Sequence, residues 1–154
     1  MNGMKDAFGD DLFAPRFPVD VRMLKPGDHL ELAEGSRLTV AKTPHTDESL
    51  AVRIESLGSS LCYTGDTGYS QHLADFFGDA DLLISECSFP ERREGVPHLS
   101  VKDVAQLAEL AHVRRLVVTH FYFEVDESAL KSQLEKYYSG EVIIGADGMR
   151  LELP

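Results

Sequence analysis

Residues 81–120 read DLLISECSFP ERREGVPHLS VKDVAQLAEL AHVRRLVVTH, and the order of patterns inside them decides the fold. LLISE (82–86) and RLVVTH (115–120) are continuous apolar runs of strand length, the signature of strands covered on both faces. Between them, Ser100 and Asp103 stand in capping-box spacing, and Val101, Val104, Leu107, Ala108 and Ala111 repeat on one helical face. The stretch predicts strand, helix, strand. Downstream, DESALKSQLEKYYSG (126–140) has helical spacing with Ser139-Gly140 as its expected stop, and EVIIGA (141–146) is another apolar run. Upstream, YSQHLADFFG (69–78) is the matching helix. Further back the period changes to two: HLELAE, RLTVAKT, SLAVRIES and SSLCYTG are four short strands separated by Gly, Ser and Pro, as in an antiparallel meander. The expected class is α/β, layered, with an antiparallel portion up to about Asp66 and helices on one sheet face afterwards.

Residues 1–27 carry three of the seven prolines and no sustained period, and read as a connector; residues 28–154 form the domain. The chain of 154 residues, 43% hydrophobic and 27% charged, fits one globular unit with a real core. Its net charge of -11 reads against extended nucleic-acid binding, because no basic stripe is present to neutralise phosphates. Cys62 and Cys87 lie in apolar runs without C-x-x-C spacing, so they read as buried free thiols of a cytoplasmic protein. No apolar stretch reaches the length of a membrane span and the acidic first residues do not make a signal peptide, so no membrane partner is expected.

The polar residues that matter fall just past the carboxyl ends of the apolar strands: Asp66 after LCYTG, Glu86 closing LLISE, His120 closing RLVVTH and Asp147 after VIIGA. In sheets of this kind that edge gathers ligands, since loops there present side chains without interrupting the ladder. His45 follows RLTVAKTP in the same manner. Imidazole and carboxylate together suit zinc or manganese. Singly, each has a plainer explanation: Asp66 as a helix cap, Glu86 as a partner of backbone, His120 as a satisfied interior histidine. Their joint placement favours a shared site. His29, His72 and His112 read as surface or dipole-balancing residues, and Gly65, Gly68 and Gly78 do not form a nucleotide-binding G-x-G-x-x-G.

YTGDTGYS, DLLISECSF, PHLSVKDVAQLAELA, RLVVTHF and IIGADGMRLEL, in that order, resemble the carboxyl-terminal half of the metallo-β-lactamase fold, an αββα sandwich, and within it the ribonuclease Z-like branch. The resemblance implies metal roles for three residues: His45 on a first ion, Asp66 bridging two ions, His120 on the second. It also implies that Glu86 and His98 act near a scissile phosphate, and that Asp147 is structural. The H-x-H-x-D-H motif of the family's amino-terminal half is absent, so three of seven expected ligands are present. The pattern reads as half of an enzyme: a truncated frame, a fragment, or one partner of a split protein.

With the missing half supplied, the expected chemistry is two-metal hydrolysis. His98 lies two residues before the Ser100 cap, near the positive end of a helix dipole, where it can donate a bond or proton to an anionic substrate; Glu86 is placed to orient it. Only residues 46–65 separate His45 from Asp66, too few for a tRNA-gripping arm, so a small phosphodiester or another ester is the expected substrate. The competing expectation is a non-catalytic half-domain that assembles with an amino-terminal partner or with a second copy, because one apolar sheet face lacks its cover.

Overall fold

The computed structural model describes residues 20–154. Among the described residues, seven strands form one sheet in simple sequence order: β1 (His29–Glu31), β2 (Arg37–Lys42), β3 (Leu50–Ser56), β4 (Ser59–Tyr63), β5 (Leu82–Glu86), β6 (Arg115–Thr119) and β7 (Glu141–Ile144). The first four pair antiparallel, and β4 through β7 run parallel. Each parallel step crosses over through a helix: α1 (His72–Phe77), α2 (Val101–Leu110) and α3 (Glu127–Leu134). The expected meander and βαβ alternation are both present, and the class is α/β. HLELAE is shorter than its alternation suggests, because after Glu31 the chain enters a 3-10 turn at Ala33–Gly35.

The strand registers sort side chains onto two faces. Ala51, Cys62, Leu83, Leu116, Val118 and Val142 point toward the helices and join Leu73, Phe77, Val104, Leu107, Leu130 and Leu134 in one buried core. Cys62 and Cys87 are buried free thiols, and burial pushes them up to about 11 and about 12. The opposite face carries two cross-strand rows, Leu30–Leu38–Ile54–Leu61–Leu82 and Val40–Val52–Tyr63–Ile84–Val117–Ile143. No helix packs on it among the described residues. Part of it lies under the carboxyl-terminal strap, where Met149 and Leu151 share a recess with Ile84 and Val117, while Arg115 donates to the Glu152 carbonyl and Ser59 to that of Pro154.

The third helix ends five residues earlier than its spacing predicts. After Leu134 the chain tightens into a turn that swings Tyr138 inward, where its hydroxyl donates to the Val113 carbonyl at 2.7 Å and burial pushes the phenol up to about 12. Gly140 serves this packing, since a Cβ there would collide with the Tyr138 hydroxyl. Of the segment 1–27 that reads in sequence as a connector, residues 1–19 lie outside the described residues, and 20–27 have no helix or strand. Among the described residues no helix is long and apolar enough to cross a membrane.

Candidate metal centre

Three strand ends and one loop meet at the carboxyl edge of the parallel strands. After β4, Gly65 adopts φ +59 and passes so close to the Leu50 carbonyl that a Cβ would sit 2.9 Å from it; this turn delivers Asp66. The Asp66 carbonyl accepts from the Thr43 hydroxyl at 3.1 Å, and the Gly68 N–H donates to the Pro44 carbonyl at 2.9 Å. These two bonds join the His45 loop to the Asp66 loop. After β6, His120 takes φ +57, a left-handed conformation that costs a non-glycine residue roughly 1–2 kcal/mol. Functional sites are where such strain is commonly held.

His98 reaches the site from the long β5–α2 loop, which is pinned at both ends. Ser88 N–H donates to the Leu99 carbonyl and Val101 N–H to that of Phe89, both at 3.0 Å. The expected capping box is present: Ser100 Oγ accepts from Asp103 N–H, and the Asp103 carboxylate accepts from Ser100 N–H. Arg92 then folds back onto the buried Asp103 with two bonds from Nε at 3.0 and 3.1 Å. The sequence pattern of a helix start is thus also the anchor of the loop that carries His98.

Candidate donor atoms of Asp66, Glu86, His98 and His120 all lie within 4.8 Å of one another. His120 Nδ1 is 3.7 Å from Asp66 Oδ1. Glu86 is only 2% exposed, and its carboxylate is surrounded by donors: Thr67 N–H at 2.5 Å, Ser88 Oγ at 2.5 Å, Leu99 N–H at 3.2 Å, and His98 Nδ1 at 3.0 Å from both oxygens. A buried charge so compensated is stably housed, and its lone pairs are taken by protein groups. Glu86 is therefore built to hold its neighbours in place. His45 stands at the margin: its ring meets that of His98 edge-on at 4.9 Å, and its Nδ1 lies 3.3 Å from the Ser49 hydroxyl. Asp147 is not in the cluster, because the turn after edge strand β7 carries it onto the outward sheet face beside Thr119 and Met149.

Two residues at the site escape the strand-end reading. Ser88, fully buried, contacts Glu86, His98 and His120 together. Tyr122, 38% exposed, sets its ring 5.5 Å from that of His120 and 5.8 Å from that of His98, braced edge-on by Phe89 at 4.9 Å. Ser88 lies two residues past Glu86 on ECSF, a spacing that returns a side chain to the same side of an extended chain; Tyr122 carries no such signal.

Residues 5–121 match the model of the beta-lactamase superfamily domain. Over 130 residues the chain is 31% identical to ribonuclease Z of Haloferax volcanii, covering 77% of this chain and 41% of that protein. Over 114 residues it is 32% identical to the probable metallo-hydrolase YhfI of Bacillus subtilis, covering 72% of this chain and 46% of that one. The crystal structure of YhfI superposes with a TM-score of 0.76 at 28% identity, over 82% of this chain and 53% of the other. Zinc-bound PqqB from Methylobacterium extorquens shares the fold, with a TM-score of 0.69 at 17% identity over 99% of this chain and 59% of that one. The chain thus spans about half the length of the relatives it matches. A seven-stranded mixed sheet with one helical layer, the acid–histidine cluster at its strand ends and these matches place the chain in the β-lactamase superfamily, in its metallo-β-lactamase-fold, ribonuclease Z-like branch.

Proposed function

We propose that this chain supplies half of the active site of a metal-dependent hydrolase acting on a small phosphodiester or another ester. The observation that carries the reading is the convergence of Asp66, His98 and His120 around the buried Glu86 carboxylate. The donor chemistry fits a divalent ion such as zinc or manganese: His120 stands beside the Asp66 carboxylate, that carboxylate is not taken up by protein donors as Glu86 is, His120 has a second ring nitrogen beyond the Nδ1 that meets Ser88, and the His45 ring lies against that of His98. Asp66 with His120 would hold one such ion, and Asp66 with His45 a second. Bound there, such an ion would supply Lewis acidity and a water of near-neutral pKa.

The protein groups have their own tasks. Glu86 accepts the His98 Nδ1 proton, which leaves His98 Nε2 as the atom open to substrate. The ring stands just before the N-terminus of α2, where an anionic group is favoured. Tyr122 and Phe89 form an apolar wall beside it, which would keep water from one side of a bound ester. The chain's acidic charge argues for a small substrate; since a relative carries the name ribonuclease Z, RNA phosphodiesters belong in the substrate panel.

Asp66, His45 and His120 fall short of the three ligands per ion typical of a catalytic site, so the remaining donors come from a second polypeptide segment. The apolar outward face, with Leu38, Val52, Ile54 and Ile84 only partly covered, supports the same idea and also the second reading, a half-domain that packs on an amino-terminal half or on its own copy. The two buried free cysteines accord with a cytoplasmic setting. The test is titration of the full chain with zinc and manganese: Asp66→Ala and His120→Ala each weaken binding at least about tenfold. Equal binding by both variants and the wild type would sink the site.

A further inference from the structure

Ser88 has one hydroxyl proton and three polar neighbours. Its Oγ lies 2.5 Å from Glu86 Oε2, 3.1 Å from His120 Nδ1 and 3.4 Å from His98 Nδ1. A carboxylate only accepts, and two oxygens 2.5 Å apart need a proton between them, so the hydroxyl proton is committed to Glu86. The hydroxyl lone pairs then face His120 Nδ1, which must bring its own proton to make that contact. Asp66 at 3.7 Å is too far to take this proton in a hydrogen bond. His98 Nδ1, at 3.0 Å from both Glu86 oxygens, donates there directly. One buried carboxylate therefore sets the tautomer of two histidines, one directly and the other through a serine.

We infer that Ser88 is a positioning residue which relays the Glu86 carboxylate to His120, holding that ring as its Nδ1–H tautomer and so leaving Nε2 as its unprotonated nitrogen. Three features of the chain support the relay. Ser88 is fully buried, so no water competes for its hydroxyl. Its backbone is fixed by the N–H bond to Leu99 and by its carbonyl accepting from Tyr122 N–H at 3.2 Å. His120, in turn, takes a left-handed φ that sets the direction of its Cα–Cβ bond, and the contact with Ser88 restrains the ring that this bond carries. The purpose of the relay rests on the metal-hydrolase reading: a metal-bound imidazole needs its other nitrogen held by an acceptor. The proton inventory itself does not depend on that reading.

The experiment is long-range proton–nitrogen NMR of the imidazoles in the full metal-free chain, on wild type, Ser88→Ala and Ser88→Thr. In the wild type His98 and His120 both show the Nδ1–H form. In Ser88→Ala only His120 loses it, His98 remains fixed by Glu86, and Ser88→Thr, which keeps the hydroxyl, restores it. Zinc affinity of Ser88→Ala falls about tenfold, with Ser88→Thr near wild type. An Nε2–H form of His120 in the wild type, or an unchanged His120 signal in a folded Ser88→Ala, would overturn the relay. Should Ser88→Ala fail to fold, Ser88→Cys, whose thiol is a weak donor and acceptor of similar shape, takes its place: loss of the His120 Nδ1–H form supports the relay and its full retention overturns it. Absence of zinc binding by the wild type even when mixed with an amino-terminal half bearing H-x-H-x-D-H would contradict the hydrolase reading while leaving the tautomer result to decide the relay.

Discussion

Leu83 and Ile84 are neighbours on β5 and face opposite ways. Leu83 is fully buried among the helices, whereas Ile84 sits half-covered on the outward face between the exposed ring of Tyr63 and Val117. Both belong to runs whose composition asks for burial on both sides. The helix side obtains that burial from α1, α2 and α3; among the described residues, the other side obtains it only where the carboxyl-terminal strap crosses. A chain whose sequence is patterned for two covers, and whose described residues provide one, has a place for the second. The site lies at the edge where both faces end, so on the proposed reading a cover that completes the face would also stand where further donors are needed.

Truncation on either side of the sheet is the sharpest way to break this comparison. Leu83→Ala should cost about 2–5 kcal/mol by urea unfolding of the isolated chain, and Ile84→Ala about 1 kcal/mol or less, because Ile84 has less packing to lose. Mixing with an amino-terminal half should raise the cost of Ile84→Ala toward that of Leu83→Ala. Equal costs in the isolated chain would erase the difference between the faces. A smaller effect concerns the loop over the helical side: Asp103→Ala removes both the capping box and the Arg92 anchor and should cost about 1–2 kcal/mol, with faster hydrogen exchange at Leu99 and Ser100 as the local readout. Exchange spread evenly over the chain would contradict an anchoring role.

The smallest effect lies at the opposite end of the strands. Partial burial alone would raise the Asp81 carboxyl, but Ser60 N–H, the Arg114 guanidinium and the Ser60 hydroxyl outweigh it and hold the group below the ordinary carboxylate range. A carboxyl lowered on folding stabilises the protein fully above its unfolded value, near about 4, and that stabilisation disappears as pH falls through the folded value. Asp81→Asn should therefore lower stability slightly at neutral pH and flatten its loss in acid. A variant with the wild-type acid profile would remove Asp81 from the account.

Much of this molecule is legible in its residues. The capping box at Ser100 and Asp103, the apolar runs of β5 and β6 and the alternation of β2 and β3 are local signals, and local signals survive folding. Asp66, Glu86 and His120 are visible because a strand end fixes where a side chain emerges. Gly140 misleads the reading of the third helix, since a glycine after a helical run suggests a stop, while its reason is the Tyr138 ring arriving from two residues earlier. Asp147 has the same strand-end signature as Asp66, yet an edge strand leaves its following turn free to fold onto the outward face. The division of labour between Glu86, saturated by donors, and Asp66, left open, depends on which N–H groups fold against each carboxylate. That information lies in tertiary contacts.

Hydrolysis of a model phosphodiester by the full chain, alone and mixed with an amino-terminal half bearing H-x-H-x-D-H, tests the central claim most directly. With zinc or manganese present, the chain alone should show little or no turnover, and the mixture should turn over, lose activity to a chelator, and fall at least about a hundredfold on Asp66→Ala. Turnover by the isolated chain that withstands both the chelator and Asp66→Ala would contradict the account, because the hydrolysis would then owe nothing to Asp66, His98 and His120.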